Sequence, residues 1–240
     1  MRANIRRWSV RRWAVAAPVA VAVALTVAGC GQTQLGAAAL YRSQQKMAGP
    51  YSGQRVSSTT LGAEVVNLTA AYDQYKGKVH IPYKPPAMPG KVLTWILRFA
   101  TMRQVAARNG IHITPEQAEV ALNGEAKAAQ QSGDSLREVA VLNGLPPDML
   151  SQLGQWFAIQ QKLVKRLDGG VTPTTSAGQA ALEARFSHQQ CLAAKSMLIR
   201  VNPQFGAYNY SQLAVVPAAD TLSSPTVISK TSSAHSTPNC

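Results

Sequence analysis

The side chains best suited to nucleophilic or metal chemistry are three thiols, Cys30, Cys191 and Cys240, and four imidazoles, His80, His112, His188 and His235. Zinc binding needs Cys and His at short repeated spacings, and no such spacing occurs. His188 and Cys191 stand three residues apart, which on a helix puts them on one face. There an imidazole could take the thiol proton and leave a nucleophilic thiolate; a coincidence of spacing is the plainer reading. The 11 carboxylates are scattered, and none is marked out as half of an acid/base pair. Phosphate-cradling glycine loops and nucleophile elbows are absent from the sequence. The expectation is a chain that is not an enzyme and that uses no metal or cofactor.

Cys30 has a different context. Arg2, Arg6, Arg7, Arg11 and Arg12 precede an apolar run over residues 14–28 that contains Pro18. A basic start, an apolar run of about 15 residues and small residues at its end make a secretory signal. The run is short of the roughly 20 residues that a spanning helix needs. Val27, Ala28 and Gly29 lead into Cys30 and resemble the bacterial lipobox, in which an aliphatic and two small residues precede an obligatory cysteine. The resemblance implies cleavage before Cys30 and attachment of an acylated glyceride to its thiol. The expected organisation is a signal peptide over 1–29, a lipid-anchored spacer over 30–36, a folded domain over 37–220 and a Ser/Thr/Pro tail over 221–240. That tail has too few large apolar side chains to offset its ordering entropy and is expected to be disordered. With lipid on Cys30, Cys191 and Cys240 remain for one disulfide in an oxidising compartment.

The formal charge of +13 includes the five signal arginines, leaving about +8 on the exported part. That balance suits anionic lipid head groups or anionic wall polymers; export argues against nucleic acid.

Between these ends the apolar spacing predicts six helices and makes the fold class mainly α, a single bundle with a small β element from segments near both ends. Leu61, Val65, Leu68 and Tyr72 mark a helix over 60–75, capped by Ser58 or Thr59. Pro82, Pro85, Pro86 and Pro89 predict an irregular loop. A second helix spans 91–109. Thr114, Pro115 and Gln117 form a capping box that opens a third, whose Ala118, Ala121, Leu122, Ala126 and Ala129 make a narrow face for close helix approach. A short fourth helix holds Leu136, Val139, Ala140 and Leu142. The fifth follows Pro146-Pro147-Asp148, and the sixth covers 177–197. Strands are expected at 37–41, 54–56 and 198–201.

Aromatic and methionine side chains on the second and fifth helices offer an apolar groove for segments of other proteins, since flexible Met and rigid aromatics suit varied ligands. The candidate client-binding residues are Trp95, Phe99, Met102, Arg103, Trp156, Phe157 and Gln160. Plain core packing is the competing reading of each, and for Arg103 a packed stem with its head in water.

The order of parts resembles the N-terminal chaperone domain of the SurA family, in the lipoprotein form found in actinobacteria. The resemblance lies in residues 37–41, in Arg55-Val56-Ser57 leading into a helix, and in 92–111 running into Gly110-Ile111-His112-Ile113-Thr114. It continues in Val201-Asn202-Pro203-Gln204-Phe205-Gly206 and in 213–220. It implies a closing strand paired with the opening ones, and binding of unfolded or nascent exported polypeptides. Family members often carry parvulin-type isomerase domains. Nothing between Asp168 and Ser196 resembles one, so isomerase activity is not implied. The usual acidic residue in the turn of the strand pair is missing, and the 82–89 loop is longer. The leading expectation is a membrane-tethered holdase. The alternatives are a structural or adaptor lipoprotein that binds anionic wall polymer or an envelope protein, and an isomerase relative without its catalytic domain.

Overall fold

The computed structural model describes residues 37–41, 54–169 and 173–217. The signal, Cys30, the spacer and the tail over 221–240 lie outside the described residues. The described part is mainly helical, with six α-helices and small antiparallel sheets.

Two strands open the fold, β1 (Ala37–Tyr41) and β2 (Gln54–Ser57), and a third, β3 (Arg200–Val201), returns to β1 from the far end of the domain. Both pairings are antiparallel, in the order β2-β1-β3. The β1–β2 register slips between Ala37 and Ala39, a bulge that lets consecutive Ala38 and Ala39 both be buried. β4 (Ala207–Asn209) and β5 (Ala214–Val216) form a separate hairpin. The segment expected to close the sheet from 213 onward therefore pairs with β4, and Arg200–Val201 makes the closing contact.

α1 (Ser58–Tyr75) begins two residues earlier than expected, because Ser57 Oγ accepts from the Thr60 N–H and is the cap. The proline segment is more regular than the sequence suggests. Pro85–Ala87 forms a 3-10 turn and α2 (Met88–Arg108) starts at once, with Pro89 in its first turn. Proline lacks the N–H that a first turn leaves unbonded anyway, so it opens a helix as readily as it breaks one. α3 (Pro115–Gln131) has the full capping box: Thr114 Oγ1 accepts from Gln117 N–H, and Gln117 Oε1 accepts from Thr114 N–H. α4 (Leu136–Leu142) and α5 (Leu150–Leu167) come next, α5 behind a 3-10 turn at Pro147–Met149. α6 (Ser176–Lys195) is capped by Thr175.

α2 is the central element. Val92, Leu93, Leu97, Phe99, Ala100, Met102, Val105 and Ala106 are all buried, most of its circumference, and it packs against α1, α5, α6 and β5. Its sheet-side end shares a core with Ala38, Val56, Leu61, Leu68 and Met197. Its other end packs with Ile159, Leu163, Phe186 and Ala193. α3 lies very close to α5: a Cβ on Gly154 would sit 2.6 Å from the Ala118 carbonyl oxygen. The small-residue face read from α3 serves that approach.

Candidate functional site

α2 and α5 cross where their aromatic residues fall. On α2, Trp95, Phe99, Met102 and Arg103 recur at the spacing of one helical face. On α5, Gln152, Gln155, Trp156 and Ile159 do the same. Of these, all but Trp95 line a shallow recess whose interior is too tight for a water molecule. Phe99, Met102, Trp156 and Ile159 give it an apolar floor and wall; Arg103, Gln152 and Gln155 give it a polar rim. A ligand pocket needs roughly 300 Å³ or more, so the recess is a surface dimple and not a preformed pocket.

The seven residues singled out from the sequence separate into three groups. Phe99 and Met102 are interior, 2% and 1% exposed, and cannot serve as an open surface. Phe99 packs with Ala140, Leu145, Met149 and Leu153, and Met102 belongs to the cluster around Leu163 and Phe186. The Met102 sulfur also accepts from Gln190 Nε2 of α6 at 3.3 Å. Arg103 and Trp156 are half-buried and line the recess. Trp95, Phe157 and Gln160 are half-buried outside it. Trp95 stacks at a tilt on Phe99, with 5.6 Å between centroids, and its indole N–H donates to the Asn143 carbonyl at 3.0 Å. Phe157 meets Trp156 edge to face at 5.2 Å. Gln152, Gln155 and Ile159 were missed in the sequence, although Ile159 lies three residues from Trp156 and both glutamines fall on the same helical face.

Beside the recess, Arg98 is largely buried against Trp95, with its guanidinium 5.3 Å from the ring centre, and donates to the Leu213 carbonyl at 3.1 Å. Burial holds its pKa below the usual value. Thr94 completes the clamp: its hydroxyl accepts from Val215 N–H at 2.9 Å and donates to Gly90 O. These two side chains fasten the β4–β5 hairpin to α2. Leu213 takes a positive φ of 48° in the turn that presents its carbonyl to Arg98.

Part of the basic excess has a structural use. Lys162 Nζ donates to His112 O and Gln117 Oε1, both at 2.7 Å. Arg166 donates to Asn109 O and Gly110 O, just past the C-terminal end of α2, and Arg185 to Leu167 O at the end of α5. Cations at helix C-termini satisfy carbonyls with no intrahelical donor and complement the helix dipole. Cys191 is disulfide-bonded, which removes the free thiol that a Cys191–His188 nucleophile requires. Among the described residues no group of three or more His, Cys, Asp or Glu side chains is placed to hold a metal ion. No described helix is long and apolar enough to cross a membrane. No family model, curated protein or solved structure matches this chain.

Proposed function

We propose that this chain is an exported protein, anchored through an acylated Cys30 on the outer face of a cell membrane. Its helical domain holds unfolded or nascent exported polypeptides without an energy source. The observation that carries the holding role is the accessible edge of the α2/α5 recess, where Arg103, Gln152 and Gln155 stand beside half-buried Trp156 and can bond a passing backbone. Backbone contacts at such an edge give weak, sequence-tolerant binding, which a holdase needs in order to release its client. Resemblance to the SurA N-terminal domain supports the same reading, and so does the return of β3 to β1. The lipobox sequence supports the anchor.

The test uses the soluble part from residue 31 onward against an unfolded secreted protein whose aggregation is followed by light scattering. Protection should appear at a few-fold excess and weaken when Arg103, Gln152 and Gln155 are replaced together by alanine. No protection by the intact domain refutes the holding role. The alternative, an adaptor on anionic wall polymer, predicts binding that falls steeply with salt. For the anchor, Cys30→Ala in the full chain should release the protein from membranes; retention after a high-salt wash would refute it.

A further inference from the structure

Arg98 uses its Nε–H on the Leu213 carbonyl, and its guanidinium is held over the Trp95 ring. Its terminal nitrogens make no hydrogen bond among the described residues and are not sealed from solvent. The edge they form is therefore fixed in place and open. Lys91 stands two turns earlier on the same face of α2. Its stem lies against Gly144, where a Cβ would come within 2.7 Å of Lys91 Cβ, and its ammonium is 5.8 Å from the Tyr83 ring centre. Neither cation pairs with a carboxylate among the described residues. Burial, with the Arg98 charge nearby, holds the Lys91 ammonium below its usual pKa. We propose that Lys91 and Arg98 form a binding site for an acidic peptide segment, separate from the α2/α5 recess.

Two neighbouring cations without a counter-ion repel each other, and drawing charge out of water is costly, so an anion that enters relieves both. A guanidinium fork meets a carboxylate through two parallel N–H bonds, and stacking on an indole fixes the fork beforehand. Trp95 is itself held, because its indole N–H donates to the Asn143 carbonyl at 3.0 Å. Lys91 and Arg98 arise about 10 Å apart along α2, a distance that about three residues of extended chain span. A peptide with carboxylates at that spacing reaches both cations. A lone phosphate places all its charge at one point, so the spacing favours a peptide.

The test follows the fluorescence anisotropy of a dye-labelled peptide, with two glutamates three residues apart and blocked ends, against the purified full chain. The same peptide with glutamines in place of the glutamates is the control, and inorganic phosphate is the competitor. The acidic peptide should bind about tenfold tighter than the glutamine peptide, the difference expected from charge-assisted hydrogen bonds. Lys91→Met keeps the stem on Gly144 and removes the charge, and Arg98→Gln removes the fork. Each should weaken binding several-fold with an unchanged circular dichroism spectrum, and Lys127→Met, at an exposed position on α3, should not. If Arg98→Gln loosens the β4–β5 hairpin, Lys91→Met decides alone. Equal affinity for the two peptides, or unchanged affinity in Lys91→Met, overturns the proposal. Phosphate that binds more tightly than the acidic peptide overturns the assignment to a peptide. The holding role is read separately, by aggregation, and stands or falls independently of these results.

Discussion

Replacing Gly154 by alanine probes the close packing of α5 on α3. The added Cβ would lie 2.6 Å from the Ala118 carbonyl oxygen and 3.1 Å from Leu122 Cβ, whereas ordinary contact begins near 3.4 Å. A backbone carbonyl inside a helix cannot swing aside as a flexible side-chain end can, so α3 and α5 must part by about 0.8 Å, roughly the depth of the overlap. Overpacking of this kind costs about 1–3 kcal/mol. Alanine returns about 1 kcal/mol through its higher helix propensity, so the net loss should be up to about 2 kcal/mol. At roughly 2–4 °C per kcal/mol for a chain of this size, the melting temperature should fall by up to about 8 °C. Gly62 in α1 and Gly124 in α3 are the controls. Both are exposed, and a Cβ there would meet nothing within 4 Å. Alanine at either should raise stability by about 0.5–1 kcal/mol. Thermal and urea unfolding of the three variants reads the contrast directly. If Gly154→Ala is as stable as Gly124→Ala, the two helices do not approach so closely and the reasoning fails.

Thr114→Ala removes the acceptor for Gln117 N–H and opens the capping box; it should cost about 1 kcal/mol in urea unfolding. Tyr83 donates to the buried Val141 carbonyl at 2.5 Å, so Tyr83→Phe should cost about 1–3 kcal/mol by stranding that oxygen. Desolvation pushes the phenols of Tyr83 and Tyr208 up to about 12 from 10.0. A folded pKa above the unfolded one gives stability that is complete below the unfolded value and lost as pH climbs toward the folded value. The melting temperature should therefore drop from about pH 10 upward, and less in the Tyr83→Phe/Tyr208→Phe double variant than in the parent; an equal drop refutes the burial argument.

Much of the helical layout was legible because its signals are local. Thr114, Pro115 and Gln117 form a capping box through contacts three residues apart, and the structure has both of its hydrogen bonds. The alanine face of α3 announced a close helix neighbour, although the sequence did not say that Gly154 on α5 would be the point of contact. Pro85, Pro86 and Pro89 misled because proline is permitted both in loops and in first turns, and the helix-forming residues after Pro89 decide between the two. The β4–β5 hairpin carried one local signal that was passed over. Asn209 Oδ1 accepts from Ser211 N–H and Gln212 N–H, the Asx-turn chemistry that starts the reversal. Its attachment to α2 could not have been read, since Arg98 and Thr94 reach carbonyl and amide groups more than 100 residues away.

The candidate site was half legible for the same reason. Helical spacing found Trp95, Phe99, Met102 and Trp156 but gave no sign of which side of the face would be open. Burial decides that, and it is set by what packs on α2 from elsewhere: Leu153 and Met149 over Phe99, Phe186 and Leu163 near Met102. What stays accessible is the polar edge: Arg103, which the sequence singled out, with Gln152 and Gln155, which a search for apolar stripes passes over. Gly154 sits between those glutamines, two residues before Trp156, so the α3–α5 spacing also sets where the recess wall stands. Gly154→Ala should then weaken aggregation suppression at temperatures well below its melting point, and Gly124→Ala should not. Full protection by folded Gly154→Ala would separate the recess from the holding role, while leaving the packing argument intact.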